Sequence, residues 1–185
     1  MCKRLSAATA GALVATVALA SGAQPAKRKD FQILQEVHTA VERYPQFTIF
    51  DDVNASVRDA MVTLTGKVTM PYKRDEIVRR VSAVDGVRSV RDEITVLPVS
   101  RFDDELRYKI ARAIYSNVNF WNYAIMPNPP IHIVVEHGRV TLTGVVSTDA
   151  DRMLARSLAT GFGALSVTSD LKTDAEVRDA LEKSE

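Results

Sequence analysis

Val62-Thr63-Leu64-Thr65-Gly66-Lys67-Val68 is the stretch on which the fold turns, because it occurs twice. It returns as Val140-Thr141-Leu142-Thr143-Gly144-Val145-Val146, with six of seven residues identical at an offset of 78. Val57 and Val135 match at the same offset. Downstream the offset slips to 77, where Ile77 meets Leu154, Arg79 meets Arg156, Gly86 meets Gly163, and Ser89-Val90 meets Ser166-Val167. Upstream it is 73, pairing Ala40-Val41 with Ala113-Ile114 and Phe47 with Phe120. The change from 73 to 78 places a five-residue insertion in the second copy, between Trp121 and Pro130. Self-similarity at this period means two copies of one small domain.

Each copy carries the same order of periodicities. Phe31, Leu34, Val37, Val41 and Tyr44 lie at helical spacing behind Asp30, which reads as an N-cap. Leu106, Ile110, Ala113 and Ile114 repeat the pattern behind a Ser100–Asp103 capping box. Two alternating strands follow: Val53, Ala55, Val57 then Val62, Leu64, Gly66, Val68 in copy one, and Ile131, Ile133, Val135 then Val140, Leu142, Gly144, Val146 in copy two. Asp59-Ala60 and His137-Gly138 join them as hairpins. A second helix presents Ile77, Val81 and Val84, or Leu154 and Leu158 after a Thr148–Asp151 capping pair. Val87–Val96 and Leu165–Leu171 close the copies as final strands. The predicted fold is α+β: two tandem α-β-β-α-β domains, each with two helices on one face of a three-stranded mixed sheet. The domains run 31–98 and 101–173, with the two-residue join Val99-Ser100 between them and an acidic tail, 174–185, after them.

Strand, turn, V-T-L-T-G, helix, G-V-x-x-V and a last strand together resemble the BON domain. Copy one carries the fuller signature, Val62–Gly66 with Gly86-Val87-Arg88-Ser89-Val90. Copy two departs at Gly163-Ala164-Leu165-Ser166-Val167. The resemblance implies a bacterial envelope protein that binds phospholipid or another envelope component, in osmotic or envelope stress. It brings no catalytic residue and no cofactor: the valines and leucine fill a core, and the glycine permits a close turn.

The N-terminus agrees with export. Lys3 and Arg4 precede an uncharged run from Leu5 to Ala20, and Ser21-Gly22-Ala23 offers small residues for cleavage. Residues 1–23 therefore read as a secretory signal peptide and the mature chain as periplasmic. The competing reading is an uncleaved anchor, for which the run is short and Ala-rich. Cleavage removes the single cysteine, Cys2, and with it disulfides and thiol chemistry. The whole chain has 24 basic and 23 acidic side chains in 185 residues, a balance that argues against a sequence-independent grip on nucleic acid.

The candidate chemistry is sparse. His38, His132 and His137 have no metal-ligand spacing, and neither a nucleophile motif nor a dinucleotide loop is present. Asp51-Asp52 and Asp103-Asp104-Glu105 suggest paired carboxylates or a cation site, but the triplet suits the first turn of a helix, where acids stabilise the dipole. Two stretches suggest contacts with lipid or a partner. One is basic: Lys73, Arg74, Arg79 and Arg80, within a segment from Gly66 to Arg91 holding seven basic and three acidic groups. The other is aromatic: Phe120, Trp121, Tyr123 and Met126, in the connection that holds the insertion. Each has a structural alternative, a solvated helix face laced by ion pairs for the first and buried rings for the second. The expectation is a non-enzymatic protein whose partner is an anionic phospholipid surface or an envelope protein. The rival is a protein-interaction or chaperone-like module.

Overall fold

The computed structural model describes residues 29–182. The expected signal peptide, 1–23, lies outside the described residues. Copy one comprises α1 (Asp30–Glu42), β1 (Asp52–Arg58), β2 (Met61–Val68), α2 (Pro71–Ser82) and β3 (Ser89–Val96). Copy two comprises α3 (Arg101–Tyr115), a 3-10 turn at Val118–Phe120, α4 (Trp121–Ala124), β4 (Ile131–Glu136), β5 (Arg139–Val146), α5 (Asp149–Ala159), β6 (Ser166–Ser169) and β7 (Lys172–Thr173). A last helix, α6 (Asp174–Glu182), follows.

The two sheets repeat one topology. β2 is central, antiparallel to β1 with Ala55 opposite Leu64, and parallel to β3 with Leu64 opposite Asp92. β5 is likewise antiparallel to β4 and parallel to β6 and β7. Helices pack on one face because alternate strand residues point there. Each copy has its own core, built on Ile33, Val37, Val62, Leu64 and Ile77 in the first, and on Ile110, Ile114, Ile133, Leu142 and Ala155 in the second. The α1 stripe is Ile33, Val37, Val41, Tyr44; Phe31, expected inside, is exposed, because two residues before Ile33 it falls on another face of the helix. Leu165, expected to open the last strand, is exposed ahead of β6.

The repeated glycine has a different task from a turn. Gly66 and Gly144 lie mid-strand at φ +121° and +114°. A Cβ there would stand 2.1 Å from the Asp52 carbonyl oxygen and 1.8 Å from that of Pro130. The entry of the antiparallel neighbour therefore crosses so closely that only glycine fits.

Both hairpins are held by an aspartate from the first helix. Asp30 is the first residue of α1 and not its N-cap, which is Lys29. The Asp30 carboxylate accepts the N–H groups of Asp59 at 2.8 Å and Ala60 at 3.0 Å. Asp103 does the same for His137 at 2.9 Å and Gly138 at 2.7 Å. Both turns place their two central residues at positive φ, as a two-residue type I′ connection requires. The Ser100 hydroxyl does cap α3, accepting from Asp103 N–H at 3.2 Å, but the Asp103 side chain is spent on the hairpin. Thr148 and Asp151 form the full reciprocal box on α5.

Copy one meets copy two mainly through the connection of residues 43–51, with Asn128 Nδ2 donating to Glu42 O at 3.0 Å beside it. Ile133 N–H on the edge of β4 donates to Ile49 O at 2.6 Å, and Ile49 and Phe50 pack on the core of copy two. Phe50 meets Tyr108 edge-on at 5.1 Å, and Phe47 lies 5.5 Å from the His132 ring. Lys67 pairs with Glu136 across the same junction. The alternation of β4 is lost accordingly: Val134 is buried as well as Ile133 and Val135, since its face lies against copy one.

Candidate functional site

The helix-to-strand connection is where the copies differ in length, and it carries different chemistry in each. In copy one it ends on Asp51, fully buried. Asp51 Oδ2 accepts from Thr48 N–H at 2.9 Å, the Thr48 hydroxyl at 2.8 Å and Lys73 Nζ at 2.6 Å. Its Oδ1 accepts from the N–H and hydroxyl of Thr69, both at 2.8 Å. Burial pushes this carboxyl up, but the bonds from Lys73, Thr69 and Thr48 outweigh it and hold the group below its ordinary value. Lys73 is only 5% exposed as a result. It was expected on the binding surface; its ammonium is instead consumed inside copy one.

In copy two the counterpart of Thr69 is Ser147, and its anchor is Tyr123. Ser147 N–H donates to the Tyr123 hydroxyl at 2.9 Å, and the two hydroxyls share a second bond at 2.9 Å. Phe120, fully buried, stacks on Tyr123 with ring centroids 5.9 Å apart. These two rings pin α4, a helix too short to persist unaided. The aromatic segment is thus divided. Phe120 and Tyr123 turn inward, while Val118 is 81% exposed, Trp121 59%, Ile125 64% and Met126 44%. Four apolar side chains within nine residues, all facing solvent, form a concentrated patch on an anchored loop. Val118 and Ile125 were not among the expected contacts, because helical or strand periodicity says nothing about an irregular connection.

The basic segment on α2 is largely neutralised. Arg74 pairs with Asp92 at 2.7 Å, and Arg79 and Arg80 share Glu76 at 2.6 Å and 2.7 Å. Arg80 also lies over the Tyr44 ring, 4.9 Å from its centroid. The paired guanidiniums, Arg79 first, hold the Glu76 carboxyl at about 2, so it stays charged and keeps its partners. Among the described residues no cluster of His, Cys, Asp or Glu could hold a metal ion, and no helix is long and apolar enough to cross a membrane. His38 pairs with Glu42 on the surface, His137 sits in the clamped turn, and His132 is spent between the copies.

The model of the BON domain matches residues 29–98 and again 103–175, so the chain belongs to the BON domain family, with two tandem BON domains. BON domains are associated with membrane-interacting, stress-related envelope proteins, and the family is generally non-enzymatic. No curated protein matches the chain. Among solved structures, one from studies of CdsD, a structural protein of the type III secretion system of Chlamydia trachomatis, is similar at 13% identity. It covers 82% of this chain and 97% of its own, with a TM-score of 0.30. The C-terminal domain of CdsD is similar at 16% identity, covering 84% of this chain and 71% of its own, with a TM-score of 0.33. Likenesses of this size say nothing about what the present chain binds.

Proposed function

We propose that the chain is an exported, non-catalytic protein of the bacterial envelope that holds a phospholipid surface through the connecting loop of its second BON domain. The observation that supports this reading is the outward set Val118, Trp121, Ile125 and Met126, presented on a loop fixed from beneath by Tyr123 and Phe120. Because the loop is already ordered, inserting these side chains costs little further conformational entropy. Each one buried is worth about 1.5–3 kcal/mol, enough for reversible attachment when two or three insert. Arg74, Arg79 and Arg80 have a secondary part, since their charges are already met by acids and add little attraction at a distance.

Flotation with vesicles rich in anionic phospholipid, at low and high salt, tests this. The full mature chain should co-float at both salts, since apolar insertion is not screened. Trp121→Ala combined with Ile125→Ala should weaken association at least tenfold, with the circular dichroism of the folded chain retained. Wild-type protein that stays in the soluble fraction at low salt would end the lipid reading and put the protein-interaction reading first.

A further inference from the structure

We infer that the buried Asp51–Lys73 pair is an interdomain latch: it shapes the connection of copy one into the main surface by which that copy grips copy two, beside the Lys67–Glu136 pair and the bond from Asn128 Nδ2 to Glu42 O at 3.0 Å. The contacts across the junction come mainly from residues 47–51. Phe47 meets His132, Ile49 O accepts from Ile133 N–H, Phe50 meets Tyr108, and Asp51 O accepts from His132 Nδ1 at 2.6 Å. A carbonyl only accepts, so His132 holds its proton on Nδ1.

Every one of these contacts depends on the path of a short irregular segment with no helix or strand bonds of its own. What fixes the path is the Asp51 carboxylate. It ties Thr48, at the near end of the segment, to Thr69 beyond β2 and to Lys73 on α2. The same residue therefore faces both ways, its side chain into copy one and its carbonyl onto copy two. Five donors converge on two oxygens with the whole carboxylate out of water, an arrangement whose geometry is stiff because each alternative leaves a buried charge unpaired.

The second copy shows that the fold does not need this pair. Tyr123 anchors the corresponding backbone N–H of Ser147 with a neutral hydroxyl, and the connection it fixes turns to solvent instead of to a neighbour. The ion pair thus goes with docking, and a copy can complete its fold without one. The open groove between the copies, about 660 Å³ and floored by Ile49, Phe50, Tyr108 and Ala111, exists only while the latch holds the segment in place.

The test is the double variant Asp51→Asn with Lys73→Met, which removes both charges together. Residual dipolar couplings of the full mature chain give the relative orientation of the domains. In wild type one alignment tensor should fit both copies. In the variant each copy should remain folded and require its own tensor, and small-angle scattering should show a larger maximum dimension. Phe50→Ala with His132→Ala, which leaves the bonds to the Asp51 carboxylate intact, should uncouple the copies in the same way. A single tensor in the double variant would overturn the latch. Unfolding of copy one would also overturn it, by making the pair a requirement of the domain. Thr48→Val then gives an independent reading, because it leaves both charges in place and removes only the Thr48 hydroxyl, which donates to Asp51 at 2.8 Å and accepts from Phe50 N–H and Lys73 Nζ, each at 3.4 Å: a measurable change in interdomain orientation supports the latch, and none contradicts it.

Discussion

At the scale of single residues, glycine and aspartate carry constraints that composition alone conceals. Gly144 and Gly66 combine positive φ with a carbonyl oxygen inside van der Waals distance of any Cβ. Gly144→Ala or Gly66→Ala should therefore cost well over about 1 kcal/mol in chemical denaturation. Gly161, which has open space around the same position, should accept alanine with a change near zero. The V-T-L-T-G motif was legible from the repeat, yet the reason for its glycine was not, because the clash comes from a strand ten or more residues away. Asp51 was legible only as half of an acidic dipeptide. Thr48 lies three residues upstream, but the other partners, Thr69 and Lys73, lie 18 and 22 positions downstream, and no local spacing announces them. Because the folded-state value is depressed, Asp51 contributes stability that is present above its unfolded value, about 4. That stability is lost as pH falls through the lower, folded value. Acid unfolding of copy one should begin below about pH 4, and Asp51→Asn should flatten that dependence. At neutral pH the single variant should lose about 3–5 kcal/mol by stranding the Lys73 ammonium, and Lys73→Met should restore much of it.

At the scale of elements, the hairpins follow alternation and the connecting loops do not. Alternation placed both hairpins and both turns correctly, since a strand that buries one face must alternate. It could not show that Asp30 and Asp103 reach across to hold the turns, because the partners are 29 to 35 residues apart. Asp103→Ala should leave two turn N–H groups without an acceptor and cost about 1–3 kcal/mol for each that stays buried. Hydrogen exchange at His137 and Gly138 should accelerate in that variant while the amides of β5 stay protected. The aromatic connection divided in a way no periodicity could foresee. A five-residue insertion has no register, so which rings turn in depends on Tyr123 finding Ser147. Tyr123→Phe keeps the ring and removes the bonds. It should loosen α4, seen as faster exchange at the Ser147 amide, with little change in the melting of the core.

At the scale of the molecule, duplication has allowed two versions of one connection to take different work. In copy one the connection is drawn onto its neighbour, and in copy two it is lengthened, re-anchored and turned outward. The tandem architecture was legible because both cores repeat their apolar pattern. The junction was not, because it is made of main-chain carbonyls, His132, Phe47, Phe50, Tyr108 and the Lys67–Glu136 pair, with no sequence pattern between them. The central claim is that the outward loop enters a phospholipid surface, and the chain supplies its own probe: Trp121 is the only tryptophan. It stands 59% exposed on that loop. Its fluorescence during titration of the mature chain with vesicles rich in anionic phospholipid reports the loop alone. The emission should shift to shorter wavelength and be quenched by bromine-labelled acyl chains, at low and high salt alike. Emission that keeps its water-exposed maximum while the protein co-floats with the vesicles would contradict it, since binding would then use another surface.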